Sequence, residues 1–385
     1  MNASAELPAN DRPPVRLGVV GCGGFGLFAL QHFAQVPGVV PTAMSGTHRE
    51  AAIAAAKRFG LAMFEDVGEM VGSADVDVVY IATPPFLHHE QALLALDAGK
   101  HVICEKPLAV TLEQADEMIS LAQERDLLLV ANLMQRYNPL FDAVKSLVEN
   151  RLLGEVLHGY FENYAADEGL APEHWFWDRS KSGGIFIEHG VHFFDLLAGW
   201  LGGGEVIAAQ AVRRPGAEVE DQVHCTARYS ESGDEGEGVL VNFYHGFHQA
   251  GRMDRQELRL VFERGDLTLF DWIPSRYRLH AVADEAATRA LCELFPDGRL
   301  DVSAVYGPKD RRCRGRNQEI DAWQMIELSG GHDRPKMPRY GDLLRALMSD
   351  QLAWIADRSH TRRITEQNGR DSLAMAVVAD RLAHT

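Results

Sequence analysis

The stretch VRLGVVGCGGFG, residues 15–26, constrains the fold of this chain more than any other part of its sequence. A short apolar run at residues 16–20 predicts a strand and leads into Gly21, Gly23 and Gly26, which have the spacing G-x-G-x-x-G. In a dinucleotide-binding turn the first glycine permits the tight turn, the second lets the backbone approach a pyrophosphate, and the third lets the next helix pack on the strand. Glycine-rich turns after strands are common, so this spacing alone is weak evidence for such a turn.

Strand and helix patterns alternate after this turn. Apolar strand patterns occupy residues 38–45, 75–85, 100–107 and 127–134, and helical patterns occupy residues 27–35, 48–60, 88–99 and 111–126. Strands that alternate with helices form a parallel sheet with right-handed crossovers. We therefore predict an α/β Rossmann domain with a doubly wound parallel sheet at residues 15–135, preceded by a flexible tail at residues 1–14.

The end of the second predicted strand bears on the choice between NAD and NADP. An acidic residue about 20 positions after the glycines takes the ribose 2′-hydroxyl of NAD, and here Ser45 stands at that position. Because no carboxylate would repel a 2′-phosphate and Arg49 follows closely, NADP is favoured, although Arg49 also fits an ordinary solvated helix residue. We expect the cofactor, NADP or NAD, at these two residues and at the loop formed by Gly21, Gly23, Gly24, Phe25 and Gly26.

A second concentration of polar residues lies in the stretch GGIFIEHGVHFFDLL, residues 183–197. If this stretch is helical, Glu188, His192 and Asp195 fall at i, i+4 and i+7 on one face. Hydride transfer from an alcohol needs a proton acceptor near the carbinol oxygen, and histidine titrates nearest neutral pH. Two other interpretations stay open from these residues alone: a metal site built on His-x-x-His, which has no accompanying ligand cluster, and a capped helix with core histidines.

Together with the glycine pattern, three further motifs resemble the glucose–fructose oxidoreductase / inositol dehydrogenase / rhizopine-catabolism (Gfo/Idh/MocA) family. They are ATPPFLHHEQALLALDAGKHVICEKPLA, QRYNP and GGIFIEHGVHFFD. The resemblance covers the predicted Rossmann domain and continues to about residue 203. It implies that residues 136–385 form an α+β substrate-binding and oligomerisation domain within a homodimer or homotetramer. Alternating apolar runs predict a large, mostly antiparallel open sheet there, with residues 275–335 irregular.

The resemblance also implies roles for residues at the family's motifs. The lysine of Glu-Lys-Pro, here Lys106, lies beside the nicotinamide and the reacting hydroxyl. The histidine four positions after an acidic residue is the general acid/base, here His192 after Glu188. Glu188 stands where aspartate is usual, which adds a methylene, and Pro85 stands where asparagine is common. The cofactor is further expected at Thr83, Pro84, His88, Glu105 and Lys106.

We therefore expect an NAD(P)-dependent oxidoreductase acting on a secondary alcohol or ketone of a sugar, cyclitol or derivative, with Lys106 and His192 handling the proton. A cleft of acids, histidines and tryptophans suits vicinal hydroxyls better than a phosphate, so a neutral or weakly charged polyol is favoured. The residues expected to contact this substrate are Arg136, Trp175, Arg179, Glu188 and Asp195. Two alternatives remain: a redox-neutral glycoside-cleaving enzyme with tightly bound NAD(P), and a non-catalytic nucleotide-binding sensor.

Charge and composition argue against other classes of partner. The chain has 38 Lys+Arg and 55 Asp+Glu, a formal net charge of −17, which disfavours nucleic acid and anionic membrane surfaces. No apolar run reaches the roughly 18 residues of a membrane span, and the N-terminal residues have no apolar signal region. The five cysteines are scattered without a Cys-x-x-Cys pair. We therefore expect no disulfide framework, no metal, and a cytoplasmic location.

Overall fold

The computed structural model describes residues 13–46, 49–167, 169–216, 219–230, 238–316, 318–332 and 334–385. The expected tail at residues 1–14 therefore lies outside the described residues, apart from residues 13 and 14. The chain forms two compact units. The first comprises the described residues up to Met134 together with Tyr340–Arg370, and the second comprises Gln135–Arg339 and Asp371–Thr385.

A six-stranded parallel sheet forms the centre of the first unit. Its strands are β1 (Val15–Val20), β2 (Val39–Ser45), β3 (Ala62–Phe64), β4 (Val78–Ile81), β5 (His101–Cys104) and β6 (Leu129–Ala131). They lie in the order β3-β2-β1-β4-β5-β6, and every pairing is parallel. The strand order reverses at β1, so the chain winds outward from it on both sides. This confirms the expected doubly wound sheet.

Five helices connect these strands: α1 (Gly24–Phe33), α2 (Arg49–Phe59), α3 (Val67–Val71), α4 (His88–Asp97) and α5 (Leu112–Glu124). Two of them begin at a capping side chain. The Asp66 carboxylate accepts the Glu69 N–H at 2.9 Å, and the Thr111 hydroxyl accepts the Gln114 N–H at 3.3 Å. Each cap satisfies an amide group that has no partner inside its helix.

A nine-stranded sheet forms the centre of the second unit. Its strands are β7 (Val156–Tyr164), β8 (Gly203–Arg213), β9 (Glu220–Ser230), β10 (Val239–Gly246), β11 (Arg255–Phe262), β12 (Gly265–Phe270), β13 (Arg276–Ala283), β14 (Arg299–Val305) and β17 (Gln324–Gly331). Two further strands, β15 (Arg312–Gly315) and β16 (Gln318–Asp321), form a separate hairpin before β17. Their order is β14-β17-β13-β12-β11-β7-β10-β9-β8. β7 and β10 pair in parallel and the other neighbours pair antiparallel, which confirms the expected mostly antiparallel sheet.

Residues 275–335, expected to be irregular, contain strands β13–β17 and a helix. Along β13 the exposure alternates, so Tyr277 and Leu279 face the core while Arg276 and Arg278 face outward. The expectation was wrong because the outward-facing arginines masked a regular strand pattern.

The helices of the second unit are α6 (Pro139–Glu149), α7 (Arg179–Ser182), α8 (Val191–Leu201) and α9 (Glu285–Leu294). α8 is buried along most of its length and packs on one face of the sheet. Phe193 stacks on Phe161 of β7 with 3.5 Å between ring centroids, and Phe194 packs on Phe243 of β10 at 4.8 Å. The polar residues of α8 are therefore carried by a rigid core element.

Two C-terminal helices, α10 (Lys336–Ala356) and α11 (Glu366–Ala383), each contain residues of both units. Part of α10 belongs to the first unit because the Tyr340 ring packs on Phe25 and Phe28 of α1, with 5.2 Å and 5.9 Å between ring centroids. The sequence predicts a single domain boundary at residue 135, whereas residues 340–370 also belong to the first unit. No helix among the described residues is long and apolar enough to cross a membrane.

Candidate active site

The glycine loop between β1 and α1 has the conformation and the space of a dinucleotide-binding turn. Gly21 has φ +101°, and a Cβ added there would lie 2.6 Å from the carbonyl oxygen of Ala82. A Cβ added at Gly26 would collide with the carbonyl oxygen of Gly21, so only glycine fits either position. At Gly23 and Gly24 an added Cβ would meet no atom within 4 Å. Because this open backbone lies at the start of α1, where N–H groups favour an anion, the loop fits the pyrophosphate of NAD or NADP.

The end of β2 presents no carboxylate to a ribose. Ser45 is only 1% exposed, and its carbonyl oxygen accepts the N–H of Gly21 at 2.8 Å. A Cβ added at the next residue, Gly46, would collide with the Sγ of Cys22. Ser45 is thus a buried residue beside the glycine turn, and its contact with a cofactor stays a prediction. The side chain of Arg49 lies outside the described residues.

The turn after β4 contains the other expected cofactor residues. Thr83 and Pro84 are half-buried, as is Phe25 in the glycine loop. His88 is fully buried, and its two ring nitrogens each lie 2.8 Å from a carbonyl oxygen, one of Thr83 and one of Pro107. His88 thus joins the turns that follow β4 and β5, and this geometry fits a positioning role better than direct contact with a cofactor.

Buried hydrogen bonds fix the turn that carries Glu105 and Lys106. The Glu105 carboxylate accepts the Nδ2–H of Asn132 at 2.6 Å and also the hydroxyl of Tyr80. Burial raises the pKa of the Glu105 carboxyl, while these two hydrogen bonds and the charge of Lys106 act in the opposite direction. Lys106 follows at the carboxyl end of the parallel sheet and is half-buried. Open α/β sheets bind their ligands at this end.

In the second unit, His192 lies at the start of α8, directly after a π-helical turn, Phe186–Gly190. Its ring contacts the ring of Trp272 edge-to-face, with 5.0 Å between centroids and 87° between planes. The sequence predicts a shared helix face for Glu188, His192 and Asp195. The structure differs, because Glu188 lies in the π turn and is half-buried whereas the other two are buried on α8. Such turns are rare and occur frequently at functional sites.

Arg136 and Asp195, both expected to contact substrate, contact each other. Arg136 Nε donates to Asp195 Oδ2 at 2.9 Å, and Arg136 Nη2 donates to Asp195 Oδ1 at 2.8 Å. Arg136 Nη2 also lies 2.8 Å from the Asp195 carbonyl oxygen. The exposed fractions of the two side chains are 13% and 2%. They form a buried ion pair, which ties α8 to the segment before α6, and their contact with substrate stays a prediction.

Arg179 and Trp175 lie before the π turn and were also expected at the substrate. Arg179 Nη2 forms an ion pair with Asp380 Oδ2 at 2.5 Å, so its charge is compensated within the unit. Burial raises the pKa of the Asp380 carboxyl, and Arg179 opposes that shift. Trp175 is half-buried in a short 3₁₀ turn, 5.2 Å from the ring of His174. Trp175 thus keeps an accessible indole surface, which is what a substrate contact requires.

Trp272, which is outside the expected set, contacts His192, and three further residues contact Trp272 or its partner His189. Trp272 occupies the turn after β12, and its Nε1–H donates to His189 Nε2 at 3.0 Å. His189 Nδ1 lies 2.9 Å from His245 Nδ1, and Lys336 Nζ lies 4.8 Å from the centre of the Trp272 ring. The motif DWIP follows a predicted strand, but only the place of β12 in the sheet brings this turn beside α8.

The metal interpretation of His-x-x-His finds no geometric support. Both ring nitrogens of His189 lie within hydrogen-bond distance of another side chain, Trp272 or His245. Within the described ranges, no group of three His, Cys, Asp or Glu side chains could hold a metal ion. His189 instead fits the interpretation of a core histidine.

Two substitutions in the glycine loop should distinguish an effect on protein stability from an effect on cofactor binding. Gly26→Ala should lower the melting temperature of the protein without any cofactor, because its Cβ collides with backbone. Gly24→Ala should leave the melting temperature of the free protein unchanged, since its Cβ meets open space, and should weaken NADP and NAD binding. Thermal melts and cofactor titration by fluorescence measure both effects. Unchanged cofactor affinity in Gly24→Ala would show that phosphates do not approach this backbone.

The Arg136–Asp195 pair makes a second prediction. Arg136→Met leaves a buried carboxylate without its cation and should lower the free energy of unfolding by roughly 3–5 kcal/mol. Replacing both residues, as Arg136→Met with Asp195→Leu, should cost less than the single change. Urea unfolding measures the effect, with Lys145→Met, which breaks the exposed Lys145–Glu149 pair, as the control. Wild-type stability in Arg136→Met together with a raised KM would instead support a substrate role.

Comparisons with known proteins agree with this geometry. The model of the oxidoreductase family with an NAD-binding Rossmann fold matches residues 15–133. The model of the GFO/IDH/MocA C-terminal domain matches residues 141–268. The two matches fall in the first and the second sheet-containing part of the chain, respectively.

Several curated relatives carry names of sugar-related enzymes. A dTDP-3,4-didehydro-2,6-dideoxy-alpha-D-glucose 3-reductase from Streptomyces violaceoruber is 32% identical, over 66% of this chain and 72% of its own length. A 1,5-anhydro-D-fructose reductase from Ensifer adhaerens is 33% identical, over 54% of this chain and 62% of its own length. A 2,7-anhydro-N-acetylneuraminate hydratase from Mediterraneibacter gnavus is 26% identical, over 78% of this chain and 75% of its own length.

Solved structures share the fold. A dehydrogenase from Bordetella pertussis in complex with NADH and UDP-GlcNAcA has a TM-score of 0.75 at 20% identity, covering 98% of this chain and 97% of that one. A levoglucosan dehydrogenase in complex with NADH and levoglucosan has a TM-score of 0.74 at 19% identity, covering 96% and 97%. The family models, the relatives and the two sheets lead to one conclusion: this chain belongs to the Gfo/Idh/MocA family of NAD-binding oxidoreductases.

Proposed function

We propose that this protein transfers hydride between NADP or NAD and a secondary alcohol or ketone of a sugar, cyclitol or derivative. The observation that carries the proposal is the position of Lys106. This lysine stands at the carboxyl end of the nucleotide-binding sheet, directly after a buried glutamate that two hydrogen bonds fix in place. A cation held at that end of an α/β sheet is suited to a ligand bound there.

The chain's own residues divide the proton chemistry between them. The nicotinamide, when bound, accepts or supplies the hydride. The Lys106 ammonium stabilises the negative charge that develops on the carbinol oxygen. His192 takes the hydroxyl proton during oxidation and returns it during reduction. Glu188, half-buried in the π turn, hydrogen-bonds a neighbouring substrate hydroxyl, and its added methylene shapes the choice among sugars.

A neutral or weakly charged polyol is the substrate class that we propose. Arg136 and Arg179, the candidate cations among the residues expected at the substrate, are compensated by Asp195 and Asp380. A phosphate group needs a denser arrangement of uncompensated cations. The half-buried indoles of Trp175 and Trp272 suit the apolar side of a sugar ring. The sugar-derived names of the relatives support the same class.

For the cofactor we propose a preference for NADP over NAD. The support is the end of β2, where buried Ser45 and close-packed Gly46 leave no carboxylate to repel a 2′-phosphate. Repulsion of that phosphate by an acidic side chain is what normally selects NAD. The preference should appear as a higher kcat/KM for NADP than for NAD.

The proposed chemistry predicts a strong dependence on two residues. Lys106→Met and His192→Ala should each lower turnover by about 10²-fold or more, because each removes a group that acts on the carbinol proton or its charge. Cofactor affinity should change much less in His192→Ala. Initial rates and cofactor titrations measure these effects, with exposed Lys145→Met and His280→Ala as matched controls. Near wild-type turnover in His192→Ala would contradict the assignment of the acid/base.

A substrate panel tests the function itself. Free sugars, cyclitols, glycosides, sugar acids and sugar phosphates are assayed with NADP and NAD by the absorbance of the reduced nicotinamide. We expect stoichiometric cofactor reduction by a neutral polyol and a higher kcat/KM for NADP. Activity confined to phosphorylated compounds would contradict the substrate class.

One outcome of the panel would favour a different function. A relative is named as a hydratase, so product formation that needs only trace cofactor would favour the redox-neutral alternative. Products are therefore analysed by mass spectrometry together with the cofactor balance. Glu188→Asp, measured on the same panel, should change the ranking among sugars more than it changes cofactor binding.

A further inference from the structure

We propose that Trp272 is a positioning residue that sets the orientation of the His192 imidazole, and that the histidine pair His189 and His245 holds Trp272 in place. The proposal rests on the function proposed for His192. It assigns a role to an aromatic residue in a turn far along the chain from the motif that carries the chemistry.

The contact between Trp272 and His192 is specific in geometry. The two rings are 5.0 Å apart and almost perpendicular. Edge-to-face pairs of aromatic rings are stabilised by electrostatics that depend on their mutual angle, so one ring restrains the other. Phe193 closes a further side, with its centroid 6.4 Å from that of His192 and 6.2 Å from that of Trp272. The imidazole is therefore bounded by side chains that are themselves packed.

The backbone of the turn that carries Trp272 is held by side chains from elsewhere in the second unit. Three successive carbonyl oxygens accept hydrogen bonds: Trp272 from Gln135 Nε2 at 2.6 Å, Ile273 from Arg339 Nη1, and Pro274 from Asn138 Nδ2 at 2.8 Å. A turn fixed at three consecutive residues leaves the indole only its own side-chain torsions to vary.

The histidine pair removes that remaining freedom. An indole N–H can only donate, so His189 Nε2 must carry no proton and a neutral His189 carries its proton on Nδ1. This Nδ1–H then donates to His245 Nδ1. Burial lowers the pKa of His245 to about 3, so this ring is neutral and carries its own proton on Nε2. This arrangement of protons satisfies both contacts, and the contact from Trp272 to His189 exists only while the indole keeps its present orientation.

Rotation of the Trp272 side chain would therefore break a hydrogen bond as well as the aromatic contact with His192. It would leave His189 Nε2 without its donor in a buried environment, which is unfavourable for a polar atom. The orientation of the indole is thus coupled to the His189–His245 pair on one side and to His192 on the other. The two histidines of the motif EHGVH would have different functions, since His189 supports and His192 reacts.

The experiment compares four single variants of the full-length protein and the double variant Trp272→Phe with His189→Leu. Trp272→Phe keeps a ring beside His192 but loses the indole donor, and His189→Leu keeps the indole but loses its acceptor. His189→Gln is the conservative variant, because its amide oxygen can accept from the indole and its amide nitrogen can donate to His245. Trp323→Phe is the matched control, since Trp323 is also a half-exposed tryptophan under a cation, here Arg311 at 3.7 Å.

We expect Trp272→Phe and His189→Leu each to lower kcat by about 10-fold with KM within about twofold of wild type, and the double variant to lose no more than either single one. His189→Gln should recover most of the loss, and Trp323→Phe should match wild type. Wild-type kcat in Trp272→Phe would overturn the proposal. So would a change confined to KM, which would make Trp272 a substrate contact instead.

A second readout does not depend on turnover. Histidine side chains are labelled with ¹³C, the His192 resonance is assigned with His192→Gln, and its titration is followed by NMR in the protein without substrate. Trp272→Phe and His189→Leu should shift the His192 resonance and its titration midpoint, whereas Trp323→Phe should not. An unshifted His192 resonance in both variants would overturn the coupling. If His192→Ala keeps its turnover, the proposed function fails while the NMR result still tests the positioning.

Discussion

The buried carboxylate of Asp195 is the constraint on which much of the second unit depends. α8 lies against the sheet along most of its length, and an ionised carboxylate in such a position is unfavourable without a cation. Arg136 supplies that cation through hydrogen bonds to both carboxylate oxygens, and its Nη2 also contacts the Asp195 carbonyl oxygen. The pair therefore fixes the rotation of α8 relative to the segment before α6, and with it the direction in which His192 points.

The first unit also contains a buried acid with polar partners, Glu105. This carboxyl is buried next to the lysine of the Glu-Lys-Pro turn, and it accepts hydrogen bonds from Asn132 on one side and Tyr80 on the other. Both residues that we propose to act on the proton thus adjoin a buried acid with defined partners. Glu105 lies next to Lys106 in sequence, and Asp195 lies on the helix of His192. Because each acid is fixed by its partners, the backbone that carries each reactive residue loses little freedom when a ligand binds.

Much of the fold could be predicted from the sequence, because it depends on local patterns. The alternation of strands and helices and the three glycines define the parallel sheet without reference to distant residues. Pairing partners could not be predicted in this way. Arg136 and Asp195 are charged residues near the motif, a position that predicts substrate contact, and nothing in one sequence shows that they neutralise each other. Ser45 was assigned by counting from the glycines, a count that does not reveal burial.

The same limit explains why the sequence predicts His192 as a site residue but not Trp272. A motif of a few residues identifies His192. Trp272 lies much later in the chain, after the five strands β8 to β12. Only after the nine strands are placed in order does the turn following β12 come to lie at α8. A motif identifies which group reacts, since chemistry restricts the residue type. The group that orients it is restricted only by shape and by hydrogen bonds, so many residue types at many positions could serve. Orienting residues are therefore found from the assembled sheet, where the indole N–H, the two histidines and the buried imidazole form one continuous set of contacts.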